Sequence, residues 1–242
     1  MVKLIKVAES GGGQSANILL FHGLGGDLRG TWRIGVDEQL FWPRWLAKDI
    51  EGLVIWSVGY DAPVSRWRGS AMHLSDRATN IFARILAETE FQSAPLVLIG
   101  YSFGGLLIKQ ILRTAASEAS RRSDAANLVE RVQKVAFMAT PHAGADLANW
   151  GDWLRIVVRP SAATESLLRN DGNLRDLNYW YRDWVKSKDI AHLVLQESKP
   201  TRFFGMIVKP DSSDPGLSRP ISIDADHYTI CKPDSPTHDT YI

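Results

Sequence analysis

A chain of 242 residues, 45% hydrophobic and 23% charged, carries enough apolar surface for one large α/β domain and shows none of the bias of a disordered or fibrous protein. Its 28 basic and 27 acidic residues leave a formal net charge of +1, which argues against a nucleic-acid-binding basic face and against a solvating acidic tail. The one cysteine, Cys231, excludes an internal disulfide and fits a reducing compartment.

The N-terminus, "MVKLIKVAESGGG", has only a short apolar stretch broken by Lys6. It is too short for a signal-peptide core, and no later run approaches a membrane span, so the expectation is a soluble cytoplasmic protein. "LIKVA" (4–8) and "ANILLFHG" (16–23) read as strands separated by a glycine-rich turn. "LFWPRWLAKDI" (40–50) reads as a helix with Pro43 in its first turn. "LVIWSVGY" (53–60) is a strand, and "LSDRATNIFARILAETE" (74–90) a helix with Ser75 as its cap. "APLVLIGYS" (94–102) is a strand, "FGGLLIKQILRTAASEA" (103–119) a helix, and "QKVAFMATP" (133–141) a strand. The segment 144–190 is less regular and mostly helical. "IAHLVLQES" (190–198), "FFGMIVKP" (203–210) and "RPISIDA" (219–225) are strand-like. Strands alternating with helices predict a mostly parallel sheet covered on both faces.

"GYSFG" (100–104) places Ser102 between a strand and a helix, with a glycine on either side. A sharp turn at a strand's C-terminal end pushes a serine hydroxyl out of the sheet, and small neighbours at Gly100 and Gly104 relieve the crowding. The helix that begins at Phe103 aims its first N–H groups at the same point. Acyl transfer needs a second donor, and "LLFHGLGGD" (19–27) supplies a glycine-rich loop after an earlier strand, with Leu24 as the donor. A phosphate cradle is the other reading of that loop, but it lacks both the Gly-Lys-Ser/Thr ending and the G-x-G-x-x-G spacing. His22 there reads as a loop anchor.

A serine nucleophile needs a base, and the base needs an orienting acid. Of the histidines 22, 73, 142, 192, 227 and 238, His227 directly follows the last strand-like run. His142 follows an earlier strand and reads as a pocket wall; His192 reads as packed. Two acids fit the position between nucleophile and base: Glu197 at the end of "AHLVLQE" and Asp211 in "IVKPDSS". Asp224 and Asp226 read as loop groups. Cys231 reads as a small buried side chain.

"FHGLGGD", "GYSFGG", "ATPHAGAD", "QESKPT" and "DADHYTICKP" together resemble the α/β-hydrolase superfamily. The sharper likeness is to the lipase-like group that includes the serine-active-site-containing proteins and the hydrolase domains fused to nucleotide-binding defence-type ATPases. The resemblance implies one α/β-hydrolase domain over 1–242, with a central sheet, helices on both faces and a helical cap at about 144–190. It implies Ser102 as nucleophile, His227 as base, Glu197 as acid, and Leu24 and Phe103 as oxyanion donors, with no metal or organic cofactor. The implied chemistry is hydrolysis of a carboxylic ester, a lipid or another apolar acyl ester. The abrupt C-terminus fits a domain excised from a longer protein, fused to or associated with a regulatory ATPase-type domain.

Gly23, Tyr101, His142, Trp180 and Trp184 complete the expected substrate pocket. Trp150, Trp153, Trp180 and Trp184 cluster in the cap segment, where they either line an acyl pocket or build the cap's own core. "NYWYRDWVKSK" is amphipathic enough for a peripheral membrane contact. A hydrolase-fold binding module without turnover, or an amidase or peptidase with the same groups, are the rival functions.

Overall fold

Near-continuous apolar stretches form the middle of the sheet: β2 (Ala16–Phe21), β3 (Leu53–Gly59), β4 (Leu96–Tyr101) and β5 (Val132–Met138). Strands of that kind need cover on both faces. In the computed structural model, which describes residues 1–60, 73–142, 171–202 and 205–241, they are flanked by β1 (Lys3–Glu9), β6 (Ala191–Glu197) and β7 (Ile221–Ile223). The seven strands run in the order β1-β3-β2-β4-β5-β6-β7. β1 is antiparallel to β3, and every other neighbouring pair is parallel.

The two-residue period of a strand sends alternate side chains to opposite faces, and the sheet uses both. Leu19, Phe21, Val58, Leu96 and Leu98 face a core closed by α2 (Leu74–Leu86), α3 (Phe103–Glu118), α4 (Ser123–Arg131) and α5 (Asp171–Val185). Ile18, Leu20, Ile55, Ile99 and Tyr101 face the other core, closed by α1 (Trp42–Asp49), Trp32, Phe41 and the C-terminal residues Ile230 and Cys231. Leu19, Leu20 and Phe21 are fully buried, and each such side chain contributes about 1.5–3 kcal/mol of transfer free energy.

The sequence of crossovers reverses between β2 and β4: the chain goes outward from β2 to β3, then back past β2 to β4. Such a switch opens a crevice at the C-terminal strand ends, where open α/β sheets bind ligands. The glycine-rich loop after β2 and the turn at Ser102 after β4 both lie there.

Several boundaries differ from the sequence reading. α2 stops at Leu86 and is followed by a short 3-10 turn, Thr89–Phe91; His73, not Ser75, holds its cap position. α4 was not expected. Of the expected strand 203–210, the described residues 205–210 form no sheet strand. Thr201 and Gly205 make an isolated bridge, Ile207 and Val208 lie in a loop, and Pro210–Ser213 is a single helical turn, α6. Phe203 and Phe204 lie outside the described residues, as do Trp150, Trp153 and most of the cap segment before α5.

Candidate active site

Ser102 sits between β4 and α3 with φ +52° and ψ −119°, a region that non-glycine residues rarely occupy. The surroundings enforce this strain. The Ser102 N–H donates to the Met138 carbonyl at 2.8 Å. A methyl on Gly104 would run into the Phe21 carbonyl, and one on Gly100 would come within 2.6 Å of Gly105 Cα. The glycines therefore let α3 pack directly against β2 and β4, and the turn lifts the Ser102 side chain off the sheet edge.

His227 comes from the segment after β7, and Glu197 is the last residue of β6. The structure brings both to Ser102. His227 Nε2 lies 3.1 Å from Ser102 Oγ, and His227 Nδ1 lies 2.8 Å from Glu197 Oε2. With Nδ1–H donating to the carboxylate, Nε2 is the nitrogen that can accept the serine proton. Glu197 Oε1 accepts the N–H groups of Ile207 at 2.6 Å and Val208 at 3.0 Å. Ser102, Glu197 and His227 are each no more than 1% exposed, so their interactions act with little screening. Asp211, the other acid considered, is exposed in the first turn of α6.

The glycine-rich loop faces this group. Gly23 and Gly26 close a turn through a 3.2 Å hydrogen bond, and Gly25 takes φ +69° inside it, which only glycine adopts without cost. That turn's own bond does not use the Leu24 N–H. Phe103 is the first residue of α3, so its N–H has no partner within the helix. The loop base is fixed by His22, buried and stacked on Tyr60 at 4.0 Å, whose hydroxyl donates to the His22 carbonyl. Burial pushes the His22 imidazole down to about 4, so it is neutral at pH 7. Asp27 accepts the N–H groups of Arg29 and Gly30. Burial raises its carboxyl, but those two donors outweigh it and hold it below the usual range.

A cleft of about 220 Å³ opens over Ser102. Gly23, Leu24, Thr31, Tyr101, Tyr228 and Lys232 line it, with Cys231 among them. Tyr101 has a further role that its sequence position does not reveal: its hydroxyl donates to the His227 carbonyl at 2.9 Å and anchors that residue. Burial drives the Cys231 thiol up to about 12, so no thiolate competes with Ser102. Asp226 accepts the N–H groups of Tyr228 and Thr229, and Asp224 pairs with Lys199; both shape the base loop.

Three expected pocket residues are not among the described residues that line this cleft. His142 is buried against Lys109 Nζ and the Phe137 ring. Trp180 and Trp184 stack on each other at 5.4 Å on α5 and pack against the core beside α3. Their one-turn spacing puts both on the face that α5 uses for packing. Met138, Ile207 and Val208 act through backbone groups, which leave no mark on residue type. Among the described residues no group of three or more His, Cys, Asp or Glu side chains could hold a metal ion, and no helix is long and apolar enough to cross a membrane.

Sheet order and the turn at Ser102 together define the α/β-hydrolase fold. A crystal structure of the Bacillus licheniformis lipase BlEst2 has the same fold, with a TM-score of 0.64 at 17% identity over 96% of this chain and 93% of that one. Phospholipase PlaB from Legionella pneumophila matches with a TM-score of 0.56 at 16% identity, over 78% of this chain and 39% of that one. In sequence the chain is similar to Protein SERAC1 of Danio rerio, 31% identical over 251 residues that cover 94% of this chain. The chain spans 37% of the length of that curated relative. The two solved neighbours are thus a lipase and a phospholipase, and no family profile matches the chain.

Proposed function

We propose that the protein is a serine hydrolase that cleaves a carboxylic ester, with a lipid or another apolar acyl ester as substrate, through an acyl-enzyme. The observation that carries this reading is the buried relay from Ser102 to His227 to Glu197. Ser102 Oγ attacks the acyl carbon as His227 Nε2 takes its proton. Glu197 stabilises the imidazolium that forms, and the N–H groups of Leu24 and Phe103 hold the oxyanion. Collapse of the tetrahedral adduct expels the alcohol, which takes the proton back from His227. Water, deprotonated by the same imidazole, then attacks the acyl-Ser102 ester and releases the acid.

Lipase and phospholipase neighbours support the apolar acyl class. The reading extends to a cytoplasmic setting without a cofactor, to a peripheral contact with a membrane, and to association with a regulatory ATPase-type domain. A fluorophosphonate probe tests it: labelling at Ser102 is expected, together with turnover of nitrophenyl esters that improves as the acyl chain lengthens. A protein that resists the probe and hydrolyses no ester is a binding module. Turnover of amides in preference to esters marks an amidase or peptidase.

A further inference from the structure

Two helical turns beyond Ser102, on the same face of α3, stands Lys109. It is 0% exposed. Its Nζ lies 2.6 Å from His142 Nδ1 and donates to Asn178 Oδ1 at 2.6 Å. The rings of Phe137 and Tyr181 flank it, each with its centroid 5.2 Å away. Among the described residues no carboxylate pairs with it. A buried ammonium without a counter-charge is costly, and lysine escapes that cost by giving up its proton.

We propose that Lys109, His142 and Asn178 form an uncharged clamp that holds the nucleophile turn in place, which makes Lys109 a positioning residue for the reaction at Ser102. A neutral cluster strands one donor fewer than a charged one. His142 Nδ1–H donates to the amine lone pair, and one amine N–H donates to Asn178 Oδ1. The second amine N–H is left beside the flanking rings, and His142 Nε2 lacks a partner. In this tautomer Nε2 is a bare acceptor, not a stranded donor. Other groups facing the cluster favour neutrality. Arg182 on α5 and His192 on β6 bring positive or potentially positive charge, Asp176 is engaged by Arg113, and burial keeps the Tyr181 hydroxyl protonated.

The route to Ser102 is short. The crossover Ala139–His142 leaves the end of β5, and the residue just before it, Met138, holds the Ser102 N–H. Ala139 takes φ +44°, so the crossover is under strain and needs to be held. Thr140 packs so tightly on Gly105 that a methyl there would clash with its hydroxyl, and its Oγ1 donates to the Gly100 carbonyl at 3.4 Å. His142 lies four residues beyond Met138, with its N–H on the Ser212 carbonyl at 2.7 Å and its ring on Lys109. Lys109 therefore holds a residue four positions along the chain from the carbonyl that fixes Ser102, and Asn178 ties α5 to the same point.

This inference rests on the hydrolase reading, and its test separates the two. Lys109→Met keeps the volume of the side chain and removes both hydrogen bonds. Well below the melting temperature, kcat for a short soluble ester is expected to fall about tenfold with KM unchanged, the signature of a displaced reacting group. The double variant Lys109→Met/His142→Phe should lose little more, because the two act as one unit. Burial and the Arg182 charge hold the lysine amine well below its ordinary 10.5, so the folded chain binds fewer protons than the unfolded one in between. Stability should therefore rise with pH across that window in wild type and rise less in Lys109→Met. A variant with unchanged kcat and only a lower melting temperature reduces Lys109 to a packing residue and overturns the proposal. So do additive losses, or parallel pH profiles of stability. A wild-type protein inert to both esters and fluorophosphonate removes the hydrolase reading itself and the positioning role with it.

Discussion

Glu197 meets His227 through one carboxylate oxygen only: Oε2 lies 2.8 Å from Nδ1, while Oε1 is occupied by the N–H groups of Ile207 and Val208. The carboxylate is thus held from behind by backbone and aimed at the imidazole. Glu197→Gln keeps the shape but removes the charge and presents an amide that offers the wrong tautomer a partner. Its kcat should drop on the order of 10³–10⁴-fold with binding little changed. Asp211→Asn, at an exposed site, should stay within about twofold of wild type. Matched kinetics of the two variants on one ester check the ranking, and the reverse order would reassign the acid.

Ser102→Ala should abolish ester hydrolysis, with a loss of about 10⁶-fold in kcat, and should leave stability unchanged because alanine inherits the same backbone strain. Ser102→Gly should be equally inactive but more stable by about 1 kcal/mol, since glycine accepts φ +52° freely. Urea melts of the three proteins check this. A glycine variant no more stable than the alanine variant would mean that the turn stores no strain.

Gly104→Ala reverses a general rule. In an exposed helix interior the change stabilises by up to about 1 kcal/mol. Here the methyl meets the Phe21 carbonyl, a backbone atom at the end of the inner strand β2 that cannot step aside. The expected result is destabilisation by about 1–3 kcal/mol, with loss of activity as the turn shifts. Thermal melts and ester turnover read both effects.

Trp180→Ala and Trp184→Ala should each lower the melting temperature, by less than the roughly 3–5 kcal/mol equivalent of a fully buried tryptophan, because both are only partly buried. Their kcat/KM profiles against acyl length should run parallel to wild type. Losses that grow with chain length would return these residues to the substrate pocket.

Acid should weaken the fold through His22. Its imidazole is held at about 4 against an unfolded value of 6.5, so the unfolded chain takes up a proton that the folded chain refuses. That contribution is complete above pH 6.5 and lost as pH falls towards 4. His142 is depressed in the same direction by burial, and shares the acid limb. Denaturant midpoints across this range for wild type and His22→Phe check the assignment, with a shallower acid slope expected in the variant.

The legible parts of the molecule are those where residue type and backbone role coincide. Ser102 stands out because its turn demands glycines on fixed sides, and His227 because it directly follows a strand-like run. Glu197 and Asp211 look alike in sequence, since each ends an apolar run; only the fold shows that one run is a sheet strand and the other a loop. In 203–210 the buried Ile207 and Val208 give strand-like hydrophobicity, but their N–H groups turn to a carboxylate instead of a neighbouring strand. α4 does carry a helical stripe, Ala125, Leu128 and Val129, which a stricter count would have found. The antiparallel direction of β1 has no local signature. His142 illustrates the hardest case: it follows a strand end beside the site, as a pocket residue would, yet points into the core to meet a lysine two helical turns from the nucleophile.

The sheet order has a consequence for how the protein fails. The proposed nucleophile and acid sit at the ends of β4 and β6, but the proposed base lies beyond β7, an edge strand joined to the sheet through only three register pairs with β6. Edge elements with so few ladder bonds open at free energies below that of global unfolding. Fraying there would carry His227 away from a serine that stays on its turn. Warmed gradually, the protein should fall silent while its spectrum still reads as folded, and recover on cooling once a few residues at the margin zip back.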